Sequence, residues 1–106
     1  MPNLEPPAEL LDLEDGASAT FRVLRWLEGT LEIQPKAAPG FKVVPALRIW
    51  VPMEDKPAGA PYWDVTALNL IARLLPMVED LVASGRQIRV TKEGIRPVAR
   101  HRVDFL

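Results

Sequence analysis

Aromatic and basic residues alternate along a segment that has the two-residue periodicity of a β-strand. Between Phe41 and Val51, side chains two residues apart point to the same side, so Lys42, Arg48 and Trp50 share a face. Indole rings stack on unpaired bases, while guanidinium and ammonium groups bind phosphates. This pattern predicts contact with single-stranded nucleic acid. The outward-facing residues predicted in this way are Arg22, Trp26, Lys42, Arg48, Trp50, Arg89, Arg100 and Arg102.

A structural interpretation of the same residues stays open. Tryptophan side chains are usually largely buried, so Trp26 and Trp50 also suit the core of a sheet that is covered on both faces. Arginines on strands are often simply solvated. Strand order decides between the two interpretations, because only neighbouring strands bring Trp50 and the carboxyl-terminal arginines onto one surface.

The residues needed for catalysis or metal binding are scarce. The chain has no cysteine and a single histidine, which excludes thiolate sites and multi-histidine metal sites. His101 falls on the apolar side of the last predicted strand, where we expect a hydrogen-bonded, half-buried ring rather than a catalyst. The acidic pairs Glu54-Asp55 and Glu79-Asp80 are typical of solvated surface. We therefore expect a protein that is not an enzyme and that needs neither a metal nor another cofactor.

Charge is distributed unevenly, although the net charge is only −1. Residues 1–15 carry five acidic side chains and no basic one, whereas residues 86–103 carry six basic side chains and one acidic one. Such polarity between two ends indicates nucleic-acid contact or an acidic arm. Two roles for the acidic arm are open. It could be a solubilising tail, or it could occupy a phosphate-binding face until nucleic acid displaces it. Residues 7–15 predict a short helical turn, either frayed or docked through its leucines.

The 106 residues suffice for one domain, which we place at residues 16–106, behind the acidic arm at residues 1–15. Predicted strands come first, then a helix over residues 64–84, then a hairpin. That order predicts an α+β fold with a small, mainly antiparallel sheet, either open or curled into an OB-like partial barrel, and one main kinked helix. The chain opens without a basic and apolar leader and contains no apolar run long enough to span a membrane. We therefore expect a cytoplasmic protein that makes no membrane contact.

Individual residues predict where these elements start, bend and end. Asp64 or Thr66 suits the helix N-cap and Gly85 suits its end. Pro76 predicts a kink or a split in the helix. Pro45 predicts a bulge or a sheet edge, because proline has no N–H to donate. A turn or bulge is predicted at residues 28–30, and turns are predicted at residues 35–40 and 92–94.

The predicted helix is apolar on nearly all sides and has one narrow polar stripe. We expect one side of the helix to pack against the sheet. The other side must be buried by the arm, by the proline-rich loop between residues 51 and 63, or by a second copy of the chain. We expect a homodimer formed through this helix. A protein-interaction or structural module that dimerises in this way is the alternative to nucleic-acid binding.

Three segments resemble small single-stranded-DNA-binding proteins of phages and archaea. They are Tyr62-Trp63-Asp64-Val65-Thr66, Ile88-Arg89-Val90-Thr91-Lys92-Glu93-Gly94 and Arg100-His101-Arg102-Val103. The shared pattern is an aromatic and basic strand, a loop, a helix with leucine spacing and a basic hairpin, over roughly residues 41–103. Proteins of this kind bind DNA through a sheet or barrel face. The resemblance therefore implies a DNA-binding set of Lys42, Arg48, Trp50, Arg89, Lys92, Arg100 and Arg102.

Overall fold

The computed structural model of the protein describes residues 2–34, 39–94 and 100–106. These residues form six strands and two helices. In chain order the elements are β1 (Ser18–Phe21), β2 (Arg25–Ile33), β3 (Lys42–Trp50), β4 (Tyr62–Val65), α1 (Leu68–Leu74), α2 (Val78–Ser84), β5 (Ile88–Glu93) and β6 (Arg100–Phe105).

The strands form two antiparallel sheets of three strands each. In one sheet β3 is the middle strand, between β2 and β4, and in the other β5 is the middle strand, between β1 and β6. The α+β prediction is confirmed. Across the described residues the two sheets do not close into a barrel, so the OB-like arrangement is not confirmed.

Both sheets and both helices contribute to one main core. In β3 the buried residues Leu47 and Ile49 alternate as predicted. Phe41, Val43 and Pro45 continue the same alternation toward the start of the strand, but they are exposed, because this part of the β2–β3 hairpin extends beyond the core. The largest fully buried apolar side chains are Phe21, Leu47, Ile49, Leu70, Leu74, Leu81 and Ile88.

The predicted helix is split in two, one of the two outcomes predicted for Pro76. α1 ends at Leu74, residues 75–77 form a turn, and α2 begins at Val78. Proline lacks the N–H that would continue the helical hydrogen bonds, which explains the interruption. Neither helix, nor any other in the described parts of the chain, has the length and apolar character needed to cross a membrane.

The two ends of the helical region differ in how well they were predicted. The predicted N-cap is wrong, since Asp64 belongs to β4 and α1 begins after Ala67 without a side-chain cap. Gly85 ends α2 as predicted, with a left-handed φ of 64° that glycine adopts readily.

The buried sides of both helices are covered within a single copy of the chain. Leu70 and Leu74 of α1 and Leu81 of α2 lie in the core. Leu11 and Leu13 of the arm pack against the same core. The apolar sides of the helices are therefore buried by other parts of the same chain. A dimer is not needed to bury them, which was the physical reason for expecting one.

A break at residues 22–24 separates β1 from β2 and reverses the predicted alternation. Trp26, predicted to face outward, lies opposite Ile49 and packs against the core. Arg25, the residue before Trp26, is exposed. The turn or bulge predicted at residues 28–30 is wrong, because these residues continue β2 without interruption and pair with β3 in regular register.

The amino-terminal arm is extended rather than helical. Asn3 pairs with Thr30 of β2, and Leu10 pairs with Asp64 of β4, both as parallel bridges. Between these two points the arm crosses the outer face of the β2–β3–β4 sheet. Leu4 is buried there in a small second cluster, which explains why the arm is held in place rather than frayed.

The arm also explains the glycine in the middle of β2. A Cβ at Gly29 would lie 2.5 Å from the carbonyl oxygen of Pro2 and 2.9 Å from Cδ2 of Leu4. Such distances are too short for any side chain, so glycine permits the close approach of the arm.

The remaining turns and Pro45 were predicted in part. β5 continues to Glu93, so residues 92 and 93 belong to a strand and not to the turn predicted at residues 92–94. Residues 95–99 lie outside the described residues, as do residues 35–38 of the turn predicted at residues 35–40. Pro45 pairs with Thr30 in regular register, so it lies at a sheet edge and not in a bulge.

Candidate nucleic-acid interface

The outer face of the β1–β5–β6 sheet carries three of the predicted binding residues. Ile88 of β5 points into the core, so the next residue, Arg89, points outward. On β6 the buried His101 lies between Arg100 and Arg102, and it directs both of them outward in the same way. All three arginines are exposed.

Hydroxyl groups lie beside these arginines. In the register of the sheet Ser18 lies opposite Thr91 and Thr20 lies opposite Arg89. The hydroxyl oxygens of Ser18 and Thr91 are 2.8 Å apart and form a hydrogen bond. Thr91 in turn lies opposite Arg102. Hydroxyl and guanidinium groups are therefore neighbours across all three strands.

The three arginines differ in how much of their charge is compensated. Arg102 donates from Nε to Asp104 at 3.0 Å, and its Nη1 lies 3.3 Å from Glu93. The hydrogen bond and the charge of Asp104 raise the pKa of Arg102, so this guanidinium is cationic but already paired. Arg89 and Arg100 make no hydrogen bond or ion pair with any residue that the structure describes. These two are the cations of this face that remain available to an anion.

Arg48 is buried, although it was predicted to bind phosphate. It lies opposite Asp64 of the neighbouring strand, and the two side chains are 4% and 0% exposed. Its guanidinium donates to the Asp64 carboxylate at 2.7 and 3.1 Å and lies 3.9 Å from the centroid of the Tyr62 ring. A carboxylate on β4 therefore neutralises this cation, and we remove Arg48 from the candidate interface.

The arm closes over this ion pair. The carbonyl of Pro7 accepts hydrogen bonds from Arg48 Nη2 and from the Tyr62 hydroxyl. The backbone N–H of Glu9 donates to Asp64 Oδ2 at 2.9 Å. Burial lowers the pKa of Arg48, but the hydrogen bond and charge of Asp64, together with the charges of Tyr62 and Glu5, result in a raised pKa. Charge-assisted hydrogen bonds thus hold the arm against the sheet.

Trp50 is half-buried, and its ring already has stacking partners. The Arg25 guanidinium lies 3.9 Å from the centroid of the Trp50 ring, which is a cation–π contact. The Tyr62 ring lies 5.7 Å away at an interplanar angle of 60°. Trp50 belongs to the β2–β3–β4 sheet, whereas Arg100 and Arg102 belong to the other sheet. The indole and the carboxyl-terminal arginines are therefore not on one sheet face.

The two lysines of the predicted set also lie apart from the arginines. Lys42 begins β3 in the other sheet, and Lys92 lies opposite His101, away from the outer face of β5 and β6. His101 is buried, and its Nδ1 lies 2.9 Å from Oδ1 of Asn69. Burial and, to a smaller extent, the charge of Lys92 lower the pKa of His101. The histidine is thus hydrogen-bonded, as the sequence predicts.

A groove beside the arm was not predicted from the sequence. It has a volume of about 410 Å³ and is bounded by the arm and the β2–β3 hairpin. The signal that could have indicated it is Leu4, which lies between Asn3 and Glu5 in the sequence and packs against Leu31 and Ala46. The lining residues are Asn3, Leu4, Pro6, Ala8, Thr30, Leu31, Glu32, Phe41 and Val43.

The candidate interface is thus reduced to Arg89, Arg100 and Arg102 and the hydroxyl groups beside them. These residues lie on one polar sheet face, on which Glu93 lies opposite Arg100 and Asp104 lies opposite Arg89. Compared with protein-family models, with curated proteins and with solved structures, the chain matches none.

Proposed function

We propose that the protein binds single-stranded nucleic acid, without catalysing a reaction, through the outer face of the β1–β5–β6 sheet. The observation that supports this most directly is the state of Arg89 and Arg100. Both are exposed, and neither has an ionic partner among the described residues. Guanidinium groups in this state bind phosphate oxygens in two-point geometry.

The spacing of the arginines suits an extended strand of nucleic acid. Arg89 lies opposite Asp104, and Arg100 is four residues before Asp104 on β6. Because a strand advances about 3.3 Å per residue, the two arginines are about 13 Å apart along the sheet. Arg102 lies between them. A backbone that crosses this face would therefore meet several cations in succession.

Charge rather than stacking carries the proposed binding. No aromatic side chain lies on the outer face of this sheet in the parts of the chain that the structure describes. Affinity should therefore fall steeply with salt and depend little on base sequence. Trp50 contributes to binding only where a base displaces the Arg25 guanidinium from its ring. DNA is the nucleic acid that the resemblance favours.

The test is fluorescence anisotropy of a labelled oligo-deoxythymidine, titrated with the protein at low and at moderate salt. We expect binding at low salt that weakens as salt is added. Arg100→Glu should weaken binding about tenfold or more at low salt, since an attraction becomes a repulsion. Arg73→Glu is the matched control, because Arg73 is an exposed arginine on α1, the helix whose Asn69 hydrogen-bonds to the buried His101.

The outcomes separate this function from other classes. Absence of binding at low salt removes the proposal and favours a protein-interaction or structural module. If Arg100→Glu and Arg73→Glu lose the same amount of affinity, the loss would reflect the change in net charge of the whole protein. Binding would then not be located on this face. An oligo-uridine of the same length, measured in parallel, decides between DNA and RNA.

A further inference from the structure

Four side chains contact one another in series on the outer face of the β2–β3–β4 sheet. Arg48 and Trp50 point to this face, because Ile49 between them is buried in the core. The Arg25 guanidinium lies 3.9 Å from the centroid of the Trp50 ring, and the Tyr62 ring lies 5.7 Å from the Trp50 ring. The Arg48 guanidinium lies 3.9 Å from the centroid of the Tyr62 ring. We call these four residues the aromatic row.

The aromatic row has the chemistry of a site for single-stranded nucleic acid. Unpaired bases stack on aromatic rings and on guanidinium planes, and the row contains two of each. Arg25 is exposed and makes no hydrogen bond or ion pair with any residue that the structure describes. The charge of Arg48 is compensated by Asp64, so the free cation of Arg25 leaves the row attractive to an anion.

The amino-terminal arm covers one end of the row. The carbonyl oxygen of Pro7 accepts a hydrogen bond from Arg48 Nη2 at 3.5 Å and another from the Tyr62 hydroxyl. Arg48 and Tyr62 are therefore only 4% and 8% exposed. Guanidinium groups and tyrosine hydroxyls are donors that proteins use to bind the phosphate oxygens of nucleic acid. The Pro7 carbonyl thus occupies the place that a phosphate oxygen would take.

The arm is held firmly at Glu9. The backbone N–H of Glu9 donates to the Asp64 carboxylate at 2.9 Å, and its carbonyl accepts the Asp64 N–H at 2.7 Å. Its side chain accepts the N–H of Ala60 at 3.1 Å and lies 3.6 Å from Nζ of Lys56. With four polar contacts to two elements of the fold, Glu9 is a fixed point for the residues that precede it.

The residues before Glu9 are held more loosely. We call residues 2–8 the strap, and Leu4 is the one member of the strap that is buried. Backbone hydrogen bonds join Pro2 and Leu4 to Thr30, and the Asn3 side chain accepts a hydrogen bond from the Thr30 hydroxyl. Segments with so few buried contacts open locally at low cost in free energy. The strap can therefore open while Glu9 stays in place.

We propose that the strap is a displaceable cover and that the aromatic row beneath it is a second site for single-stranded nucleic acid. When the strap swings out about Glu9, a phosphate oxygen replaces the Pro7 carbonyl and bases reach the rings of Trp50 and Tyr62. The ligand thus remakes the hydrogen bonds that the strap gives up. This inference rests on the proposed function for the class of ligand, but it concerns the other sheet.

A closed strap lowers the apparent affinity of the row, because only the open fraction of the protein binds there. Opening the strap should therefore strengthen binding, and locking it should weaken binding. Bases that stack on Trp50 should also quench tryptophan emission. The described residues place no aromatic ring on the outer face of the β1–β5–β6 sheet, so this quenching reports on the row.

The first test locks the strap reversibly in the full chain. Asn3 and Thr30 form a bridge, and Asn3 Oδ1 lies 2.8 Å from Thr30 Oγ1, so Asn3→Cys with Thr30→Cys brings two thiols within reach of a disulfide. The chain has no other cysteine. We expect the oxidised form to bind oligo-deoxythymidine severalfold more weakly than the reduced form, and without quenching. Wild-type protein with and without reductant is the control. Equal affinity and equal quenching in the two redox forms overturn the proposal.

The second test opens the strap and does not depend on forming the disulfide. Leu4→Ala removes the buried anchor of the strap, so we expect severalfold tighter binding and stronger quenching. Ile71→Ala is the matched control, because Ile71 is 8% exposed and Leu4 is 6% exposed, but Ile71 belongs to the main core. It lowers stability without releasing the strap. The same gain in both variants, or a gain in neither, contradicts the proposal.

Arg100→Glu distinguishes failure of this inference from failure of the proposed function. The redox comparison is repeated in that background. A gain on reduction that persists, with no effect of Arg100→Glu itself, would support the aromatic row and remove the β1–β5–β6 face. A loss in Arg100→Glu with no effect of reduction would support that face and remove the row. Absence of binding in every form would remove both.

Discussion

Arg48 and Asp64 lie opposite each other on β3 and β4 and form two hydrogen bonds in the interior of the protein. Arg48 Nε donates to Oδ1 at 2.7 Å, and Nη2 donates to Oδ2 at 3.1 Å. Asp64 also accepts the backbone N–H of Glu9. One buried ion pair therefore joins two strands and the amino-terminal arm.

Removal of one partner of this pair should be far more damaging than removal of both. Asp64→Ala leaves a buried cation without a counter-charge and should lower the free energy of unfolding by about 3–5 kcal/mol. The double variant Arg48→Met, Asp64→Leu replaces both charges with apolar groups and should lose much less. Urea denaturation followed by tryptophan fluorescence measures both. A double variant as unstable as Asp64→Ala would show that the charges themselves stabilise the fold.

A methyl group at position 29 should dislodge the arm. In Gly29→Ala the new Cβ would meet the carbonyl of Pro2 and the side chain of Leu4. We expect a loss of about 1–3 kcal/mol in the free energy of unfolding, as for overpacking elsewhere. The control is a chain that lacks residues 1–5, in which the same substitution should be nearly neutral. An equal loss in both backgrounds would mean that the strain lies within β2 and not against the arm.

Stability should fall as pH is lowered through the titration of His101. Its pKa in the folded protein is lowered from 6.5, by burial first and by Lys92 second. Between the folded pKa and 6.5 the unfolded chain therefore binds more protons, so stability is complete above pH 6.5 and decreases below it. His101→Gln, which keeps a hydrogen-bonding side chain near Asn69, should remove this decrease. Urea denaturation at a series of pH values checks it, and an unchanged profile in the variant would assign the effect to carboxylates.

Removal of one of the two carboxylates that pair with Arg102 should strengthen nucleic-acid binding. Asp104 hydrogen-bonds Arg102 at 3.0 Å and Glu93 lies 3.3 Å from it, so Asp104→Asn leaves Arg102 with Glu93 as its one carboxylate partner and removes a negative charge from the proposed face. We expect severalfold tighter binding of oligo-deoxythymidine at low salt and a steeper dependence on salt, by about 0.7 in log–log slope for one more phosphate contact. Asp80→Asn, at an exposed acidic residue of α2, is the control for net charge. The same gain in both variants would contradict a localised face.

Local patterns predicted the elements that depend on local physics. The alternation of apolar residues predicts β3 and places Leu47 and Ile49 in the core, because successive side chains of a strand point to opposite faces. Pro76 and Gly85 mark the interruption and the end of the helical region through the backbone chemistry of proline and glycine alone. Where the chain breaks at residues 22–24, the alternation restarts, and the prediction for Trp26 is wrong for that reason.

The candidate site was predicted in part for the same reason. Alternation on β5 and β6 indicates that Arg89, Arg100 and Arg102 face outward, and they do. Alternation also assigns Arg48 to the outer face of β3, which is its position. The alternation does not reveal that Asp64 of β4 lies next to Arg48, or that the arm covers Arg48.

The sequence by itself determined the α+β class, the periodicity of the strands and the scarcity of residues for thiol or metal chemistry, because these follow from composition and nearest neighbours. The tertiary structure alone decided which charges are free. Arg48 meets Asp64 across 16 residues of sequence, and Asp64 meets Glu9 across 55. Contacts at such separations depend on which strands pair and on what crosses them. These choices result from small differences between large opposing free energies of the whole chain, which no local pattern encodes.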